Sequence, residues 1–473
     1  MFEGLFFRIR SLLSTQLRRN IVAGSGASAA NALISLVSYP LYLHYLGYAR
    51  YGVWLALSTV LTFSQLGNLG INPAVTKLVA ESYGVKDMAG VSRCLTTAWL
   101  AIGLTGGITC VAAILFKESL IGLFRLTGPG AGEMSQLLPA IAVFSLYIFI
   151  VEIPMAALVG LNRADLENYY RTSSQVLALV LTAALLALGF GIESLLIGNV
   201  AAYVFLHWCS LRTVRRTTGQ VLVRTSGLDR SGFSRMLRFG GWVFAGTLVN
   251  TGLHPLNRVI ISRYAGVATL PIYEIAFAAG VRVRSLIENG LRAMMPEVSR
   301  LGREMTDETL LRAARLEKTG LRLIGMWGVP LFAFLALAAT PLLRLWLGSQ
   351  FNPMLPATFR IMILASFASL LYVPAYYILM GLGEARICFE SSVVQSSASV
   401  GLIGLLAVLW GAVSVTSVSL SVAFGMTCCC TFLLWQLRRC VREGMLRNAT
   451  RHASRAGAAE GSSVRATTGS LHE

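Results

Sequence analysis

Residues 191–238 read GIESLLIGNVAAYVFLHWCSLRTVRRTTGQVLVRTSGLDRSGFSRMLR, an apolar run that closes at Leu211 and is followed by seven arginines from Arg212 to Arg238. A helix crosses a bilayer with ~20 predominantly apolar residues, and Lys and Arg in short connections stay on the cytoplasmic side during insertion. The stretch therefore predicts a membrane span and its direction together. Upstream, five more apolar runs lie at about Ile21 to Leu46, Gly52 to Leu69, Cys94 to Phe116, Leu137 to Leu161 and Ser173 to Phe190, with the sixth at Ile192 to Leu211. Downstream, six follow at about Phe239 to Ile261, Ile272 to Gly290, Gly320 to Thr340, Ile361 to Leu382, Ser391 to Leu409 and Val413 to Leu437.

When the connections are numbered alternately, one set holds 30 Lys and Arg and the other holds 6 (Arg50, Lys117, Arg125, Arg263, Arg344 and Arg360), with the remaining 4 of the 40 inside predicted helices. This asymmetry places both termini in the cytoplasm and makes the number of spans even. The expected fold is an all-α membrane protein of twelve transmembrane helices. Hydrophobic residues are 55% of the chain, charged residues 13%, and the net charge is +18. Because the positive charge is confined to one side of a membrane protein, it speaks for orientation and membrane lipids, and against nucleic acid.

Phe2, Leu5, Phe6, Ile9, Leu12, Leu13 and Leu17 recur at helical spacing among Arg8, Arg10, Arg18 and Arg19. They predict an interfacial amphipathic helix over 1–20. Residues 21–211 and 239–437 then form two six-helix bundles, 212–238 is a basic cytoplasmic linker, and 438–473, without apolar period, is expected to be disordered. Short external loops leave no room for a catalytic domain. The run Gly24 to Ala29 imitates a dinucleotide fingerprint but opens a membrane span with no strand before it. No enzyme activity, cofactor or metal site is expected. Cys428, Cys429 and Cys430 point in different directions on one helix and read as lipid-facing or packing residues.

The chain repeats itself. Tyr45, Leu46 and Gly47 answer Tyr264, Ala265 and Gly266; Ile71 to Lys77 answers Met294 to Arg300; Pro154 answers Pro374; Gly191 answers Gly411; Arg212 answers Arg438. The ordered marks keep one period of about 220 residues, which is a repeat signal. Halves of six spans enter from the same side, so a pseudo-two-fold axis along the membrane normal should relate them. Transporters built this way place a site between halves and expose it alternately.

Polar residues inside the spans mark the candidate site. Span 8 carries Glu274, Arg282, Arg284 and Glu288. At roughly 2.5–3.5 kcal/mol for a central Arg or Asp on the translocon scale, it should face water or protein. Arg284 and Glu288, four apart, can pair; Glu274 reads as an interfacial group. On span 7, Asn250, His254, Asn257 and Arg258 share a stripe around Pro255, which should bend the helix. Arg258 ranks first as a ligand-binding cation. Glu152, just before Pro154, is either an ion-coupling carboxyl, with Glu288 as a second candidate, or a neutral packed one. Asn31, Gln65 and Asn68 are the polar groups of spans 1 and 2. His207 reads as a solvated interface residue, and Gly103 with Gly107 as a close helix contact.

Tyr45 to Gly47, Arg50 to Trp54 and Leu66 to Gly70, followed by Leu270 to Tyr273 with Ala276, Pro296 to Ser299, and Leu345 to Gly348 with Phe351, resemble the bacterial O-antigen and exopolysaccharide flippases of the multidrug, oligosaccharidyl-lipid and polysaccharide exporter superfamily. The resemblance covers about Asn20 to Arg439. It implies a bacterial inner-membrane protein with spans 1, 2, 7 and 8 around a cavity, flipping an undecaprenyl-pyrophosphate-linked oligosaccharide to the outer leaflet for surface polysaccharide such as lipopolysaccharide or exopolysaccharide. A polysaccharide polymerase and glycosyltransferases are the further partners it implies. Where this chain has Asn68 and Asn257 the family commonly carries acidic residues, a departure that weakens carboxylate-based ion coupling. Arginine's bidentate fork suits a pyrophosphate at Arg258, Arg282 and Arg284, with Asn31, Asn68, Asn250, His254 and Asn257 binding sugar hydroxyls. A cation-coupled multidrug exporter of the same superfamily is the main alternative, and a membrane-embedded glycan polymerase or ligase a further one.

The topology is tested by single-cysteine labelling in a cysteine-free background. Cysteines at Thr217 and Ser462 should resist a membrane-impermeant maleimide in intact cells and react once the membrane is opened; labelling in intact cells overturns the orientation.

Overall fold

A computed structural model describes residues 15–64, 71–126, 128–219, 248–249, 252–291, 307–382 and 384–469. Regular structure among them is entirely helical and falls in every one of the twelve spans. Most of the expected amphipathic segment and most of the linker lie outside the described residues.

Thr15–Ser64 carries spans 1 and 2, which meet at Gly47 with φ 65°. Span 3 is Met88–Leu115, its first turn capped by Asp87, whose carboxylate accepts the Gly90 N–H at 2.7 Å. Spans 4, 5 and 6 are Pro129–Gly160, Ala164–Ala187 and Glu193–Thr218. In the second half, residues 252–265 of span 7 turn at Gly266 into Leu270–Leu291, span 8. Span 9 runs through Asp307–Leu323, a π-helical turn at Ile324–Gly328 and Val329–Leu337. Span 10 is broken into Leu355–Leu371 and Val373–Leu382, just before Pro374, which lacks an N–H and restricts its predecessor. Span 11 is Ala385–Trp410. Span 12 continues unbroken from Val415 to Gly469. No proline interrupts it past Arg438.

The repeat reappears in the backbone. Gly47 and Gly266, Gly128 and Gly348, and Gly189 and Gly411 all hold positive φ, each pair about 220 residues apart. Each lies at a turn between or just before the corresponding spans of the two halves. Gly189, with φ 89°, is thus the true partner of Gly411, not Gly191, whose φ is not positive. A second correspondence escaped the sequence: a side chain on Gly198 would run into Thr182 and the Ala178 carbonyl, and one on Gly425 into Ser399 and the Gln395 carbonyl. Spans 5 and 6 and spans 11 and 12 therefore approach each other through the same device.

The described residues form two compact units. The first contains the chain through Ala278 with Thr340–Thr358 and Leu405–Val418, and the second Ala279–Ala339, Phe359–Gly404 and Ser419–Glu473. The first unit thus holds the first half together with the described part of span 7 and the ends of other second-half helices that adjoin the sparsely charged connections. Its core gathers Val75, Leu95, Ile102, Phe149, Ile153 and Leu158. In the second unit Ala375, Ile378, Leu379, Cys429, Leu433 and Leu437 cluster. Cys429 and Cys430 are buried while Cys428 is half-exposed, as the divergence of neighbouring helix positions requires.

Two expectations are corrected. Gly103 and Gly107 meet open space, not a neighbouring helix, and line an apolar groove with Leu104, Ile108 and Val111. His207 is half-buried rather than solvated, its Nδ1 3.0 Å from the Tyr147 hydroxyl.

Gly198→Val and Gly425→Val should each destabilise the purified protein by about 1–3 kcal/mol, the usual range for overpacking, read as a fall in thermal midpoint. Gly103→Val, facing open space, should leave the midpoint unchanged.

Candidate functional site

Each charged side chain predicted at membrane depth has a definite neighbourhood, and the neighbourhoods differ in kind. Arg258 is buried, with 10% of its side chain exposed, and Glu274 with 12%. The arginine's Nη2 and Nε lie 2.7 and 3.0 Å from one oxygen, Oε2 of Glu274. His254 Nε2 is 3.3 Å from the same oxygen. Its ring is stacked on Phe277 at 4.2 Å, with Tyr273 beyond at 5.7 Å. Asn257 Nδ2 donates to the Tyr273 hydroxyl at 3.1 Å. The remaining arm of the guanidinium, Nη1, donates to Ser58 Oγ at 3.1 Å.

This arrangement follows from the hairpin at Gly266. Arg258 and Glu274 stand eight residues before and after that turn, hence at the same depth, about 12 Å from it at 1.5 Å per residue. Glu274 is consequently a buried counter-ion and not the interfacial group that its place in the sequence had implied. Arg258, ranked first as a ligand cation, has its charge matched inside the hairpin.

The same geometry governs Glu152. It sits ten residues before Asn162, the positive-φ residue between spans 4 and 5. Arg171, nine residues beyond it, grips both carboxylate oxygens at 3.0 and 3.1 Å while its Nε donates to Glu167 at 2.8 Å. Arg171 stands before the apolar run Ser173 to Phe190 but inside the span 5 helix, Ala164–Ala187.

A second cluster belongs to the other unit. Arg284 Nε donates to Glu288 Oε2 at 3.0 Å, one helical turn away, and its Nη1 donates to Ser369 Oγ at 3.1 Å. The guanidinium stands 5.7 Å from the Tyr372 ring centre, and the Tyr377 hydroxyl donates to the other Glu288 oxygen at 3.1 Å. Both oxygens of Glu288 are therefore partnered. Arg282, two residues away, points in another direction. Its side chain is exposed and has no hydrogen bond or ion pair among the described residues, while its backbone carbonyl accepts from the Ser285 hydroxyl at 2.7 Å.

Asn31 is half-buried, with Oδ1 buried and without a partner among the described residues. Asn250, Gln65 and Asn68 lie outside those residues. The structure thus brings Arg258, His254 and Asn257 into one neighbourhood and Arg284 and Glu288 into another, and leaves Arg282 open. Ser58, Tyr273, Ser369, Tyr372 and Tyr377 were missed, because hydroxyls are too common in membrane helices to stand out before their partners are known.

A comparison with curated proteins gives no match. Among solved structures, an inward-facing multidrug resistance MATE family transporter of the MOP superfamily superposes with TM-score 0.70 at 14% identity, covering 92% of this chain and 96% of that one. Lipid II flippase MurJ in an inward closed conformation gives TM-score 0.70 at 14% identity, over 88% and 87% of the two chains. A MOP superfamily transporter from Pyrococcus furiosus, reported with a binding pocket of reverse polarity, gives 0.63 at 14%, over 91% and 96%. At such identities the likeness establishes the fold, twelve transmembrane helices in two six-helix bundles. Residues 45–356 match the family described as polysaccharide biosynthesis protein, and with this share of its length matched the chain belongs to that family.

Proposed function

We propose that this protein flips an undecaprenyl-pyrophosphate-linked oligosaccharide from the cytoplasmic to the outer leaflet of a bacterial inner membrane by alternating access, with both termini in the cytoplasm. The observation that carries the reading is Arg282, an exposed and unpartnered cation among the described residues of span 8. It stands twelve residues into the helix that begins at Leu270, roughly 18 Å along an axis that crosses a core of about 30 Å. A bare arginine at that depth is costly against lipid, so it faces water or an anionic ligand. A pyrophosphate supplies what the guanidinium lacks, two or more oxygens in the plane of its donors.

In this reading Arg282 takes the headgroup, and Arg284 with Glu288, Tyr372 and Tyr377 forms a separate polar cluster on another face of span 8. Asn31, Asn68 and Asn250 remain candidates for sugar hydroxyls. Arg258, Asn257 and His254 have a different task, since their charge and donors are taken up within the hairpin. Export for lipopolysaccharide or exopolysaccharide, in company with glycosyltransferases and a polymerase, is the setting that family membership favours. A cationic wall also argues against the cationic cargo of a multidrug exporter, which an exposed arginine would repel. Glu152 is ion-paired in place, so neutral coupling chemistry there is not part of the proposal.

Arg282→Ala should cut surface glycan in a complementation strain by about tenfold or more at normal protein abundance, Arg282→Lys less, because it keeps charge without the fork. Glu152→Gln should retain export. Parental export by Arg282→Ala refutes the cationic wall, and loss of export by abundant Glu152→Gln reinstates carboxylate coupling.

A further inference from the structure

Within the first unit, four side chains bond from one half to the other, Tyr48 from the first half and Ser262, Trp346 and Arg258 from the second, at the sparsely charged connections and in the helix portions that lead into them. Tyr48 Oη donates to the Gln350 carbonyl at 2.8 Å, Trp346 Nε1 to the Leu36 carbonyl at 2.8 Å, Ser262 Oγ to the Phe124 carbonyl at 2.9 Å, and Arg258 Nη1 to Ser58 Oγ at 3.1 Å. At the same end Gly52 lies directly under the Val267 carbonyl, with no room for a side chain. These contacts join positions 138 to 310 residues apart. They are the joints that a helix pair must give up if this end is to open.

The Arg258 joint differs from the others because its donor is charged and the charge is already neutralised by Glu274 inside its own hairpin. Breaking the bond to Ser58 therefore leaves no unpaired ion, and the arginine stays with its counter-ion whether the joint is made or broken. A hydrogen bond from a charged donor is also stronger than a neutral one. The joint is both firm and reversible. We propose that Ser58 and Arg258 form the latch of the external gate, with Glu274 and His254 as positioning residues that aim the guanidinium at the hydroxyl. The titratable and charged groups facing Glu274 are His254, Arg258, Tyr51 and Tyr273. The inference requires the orientation set by the charge asymmetry but not the glycan cargo, so it can fail or stand separately from the flippase reading.

The test reads exposure of the seam without any substrate. In the full-length protein carrying Ser262→Cys, a residue buried against Phe124, a membrane-impermeant maleimide is applied to the outside of cells, and modification of position 262 is followed by peptide mass spectrometry. Adding Ser58→Ala should raise the rate about tenfold, the loss of one charge-assisted hydrogen bond. Ser58→Thr, which keeps a hydroxyl, should stay near the parental rate, and Glu274→Gln should raise the rate as Ser58→Ala does. Ser58→Ala is a small change and should leave the thermal midpoint of detergent-purified protein nearly unmoved, which separates opening from unfolding. A parental labelling rate in folded Ser58→Ala overturns the latch. So does equal acceleration by Ser58→Thr, or acceleration seen only when reagent is applied to inverted vesicles.

Discussion

An ionised side chain inside a bilayer must be paired or wet, and in this chain that single constraint sorts every deep charge into its role. Two of the three arginines of spans 7 and 8 are paired, Arg258 with Glu274 and Arg284 with Glu288. The third, Arg282, is exposed and its side chain has no ionic partner among the described residues. Removing one partner from a buried pair leaves the other uncompensated, at a cost of about 3–5 kcal/mol. Arg258 and Glu274 are thus tied to each other before any question of ligand arises.

The pairs form because helical hairpins have a simple symmetry. Residues equally far before and after a tight turn lie at equal depth on neighbouring helices. Arg258 and Glu274 are equidistant from Gly266, and Glu152 and Arg171 are nearly so from Asn162. The close approaches obey the same rule: Thr182 and Gly198 flank Gly189, and Ser399 and Gly425 flank Gly411, at nearly equal remove. One geometric relation therefore places two ion pairs and two close helix contacts.

That relation also explains what could be read from the sequence. Apolar runs and the arginines around Arg212 to Arg238 marked twelve helices, because span length and charge asymmetry are properties of the bilayer and not of tertiary contacts. The turn at Gly266 was visible as the partner of Gly47. What was not used was the turn as a ruler, which would have set Glu274 opposite Arg258 and Arg171 opposite Glu152. Ser58, by contrast, lies on the far side of a contact spanning 200 residues, and no local pattern announces it. The open faces of Gly103 and Gly107 were equally illegible, since small residues at helical spacing look the same against lipid as against a helix.

The halves match in turns but not in charge, and the mismatch has a physical consequence. If both halves carried paired arginines at equivalent depth, closing them would bring desolvated ions together across a seam and each would need its own counter-ion. Here the guanidinium comes from the second half, and the first half answers with Ser58, a neutral hydroxyl that loses little on returning to water. A closing surface with the charge fully matched on one side and only dipoles on the other can be made and broken without stranding an ion. Arg282 is the reverse case, a cation left unmatched on the same helix as Glu274. Its charge has no such match among the described residues, so water or a bound anion has to stabilise it.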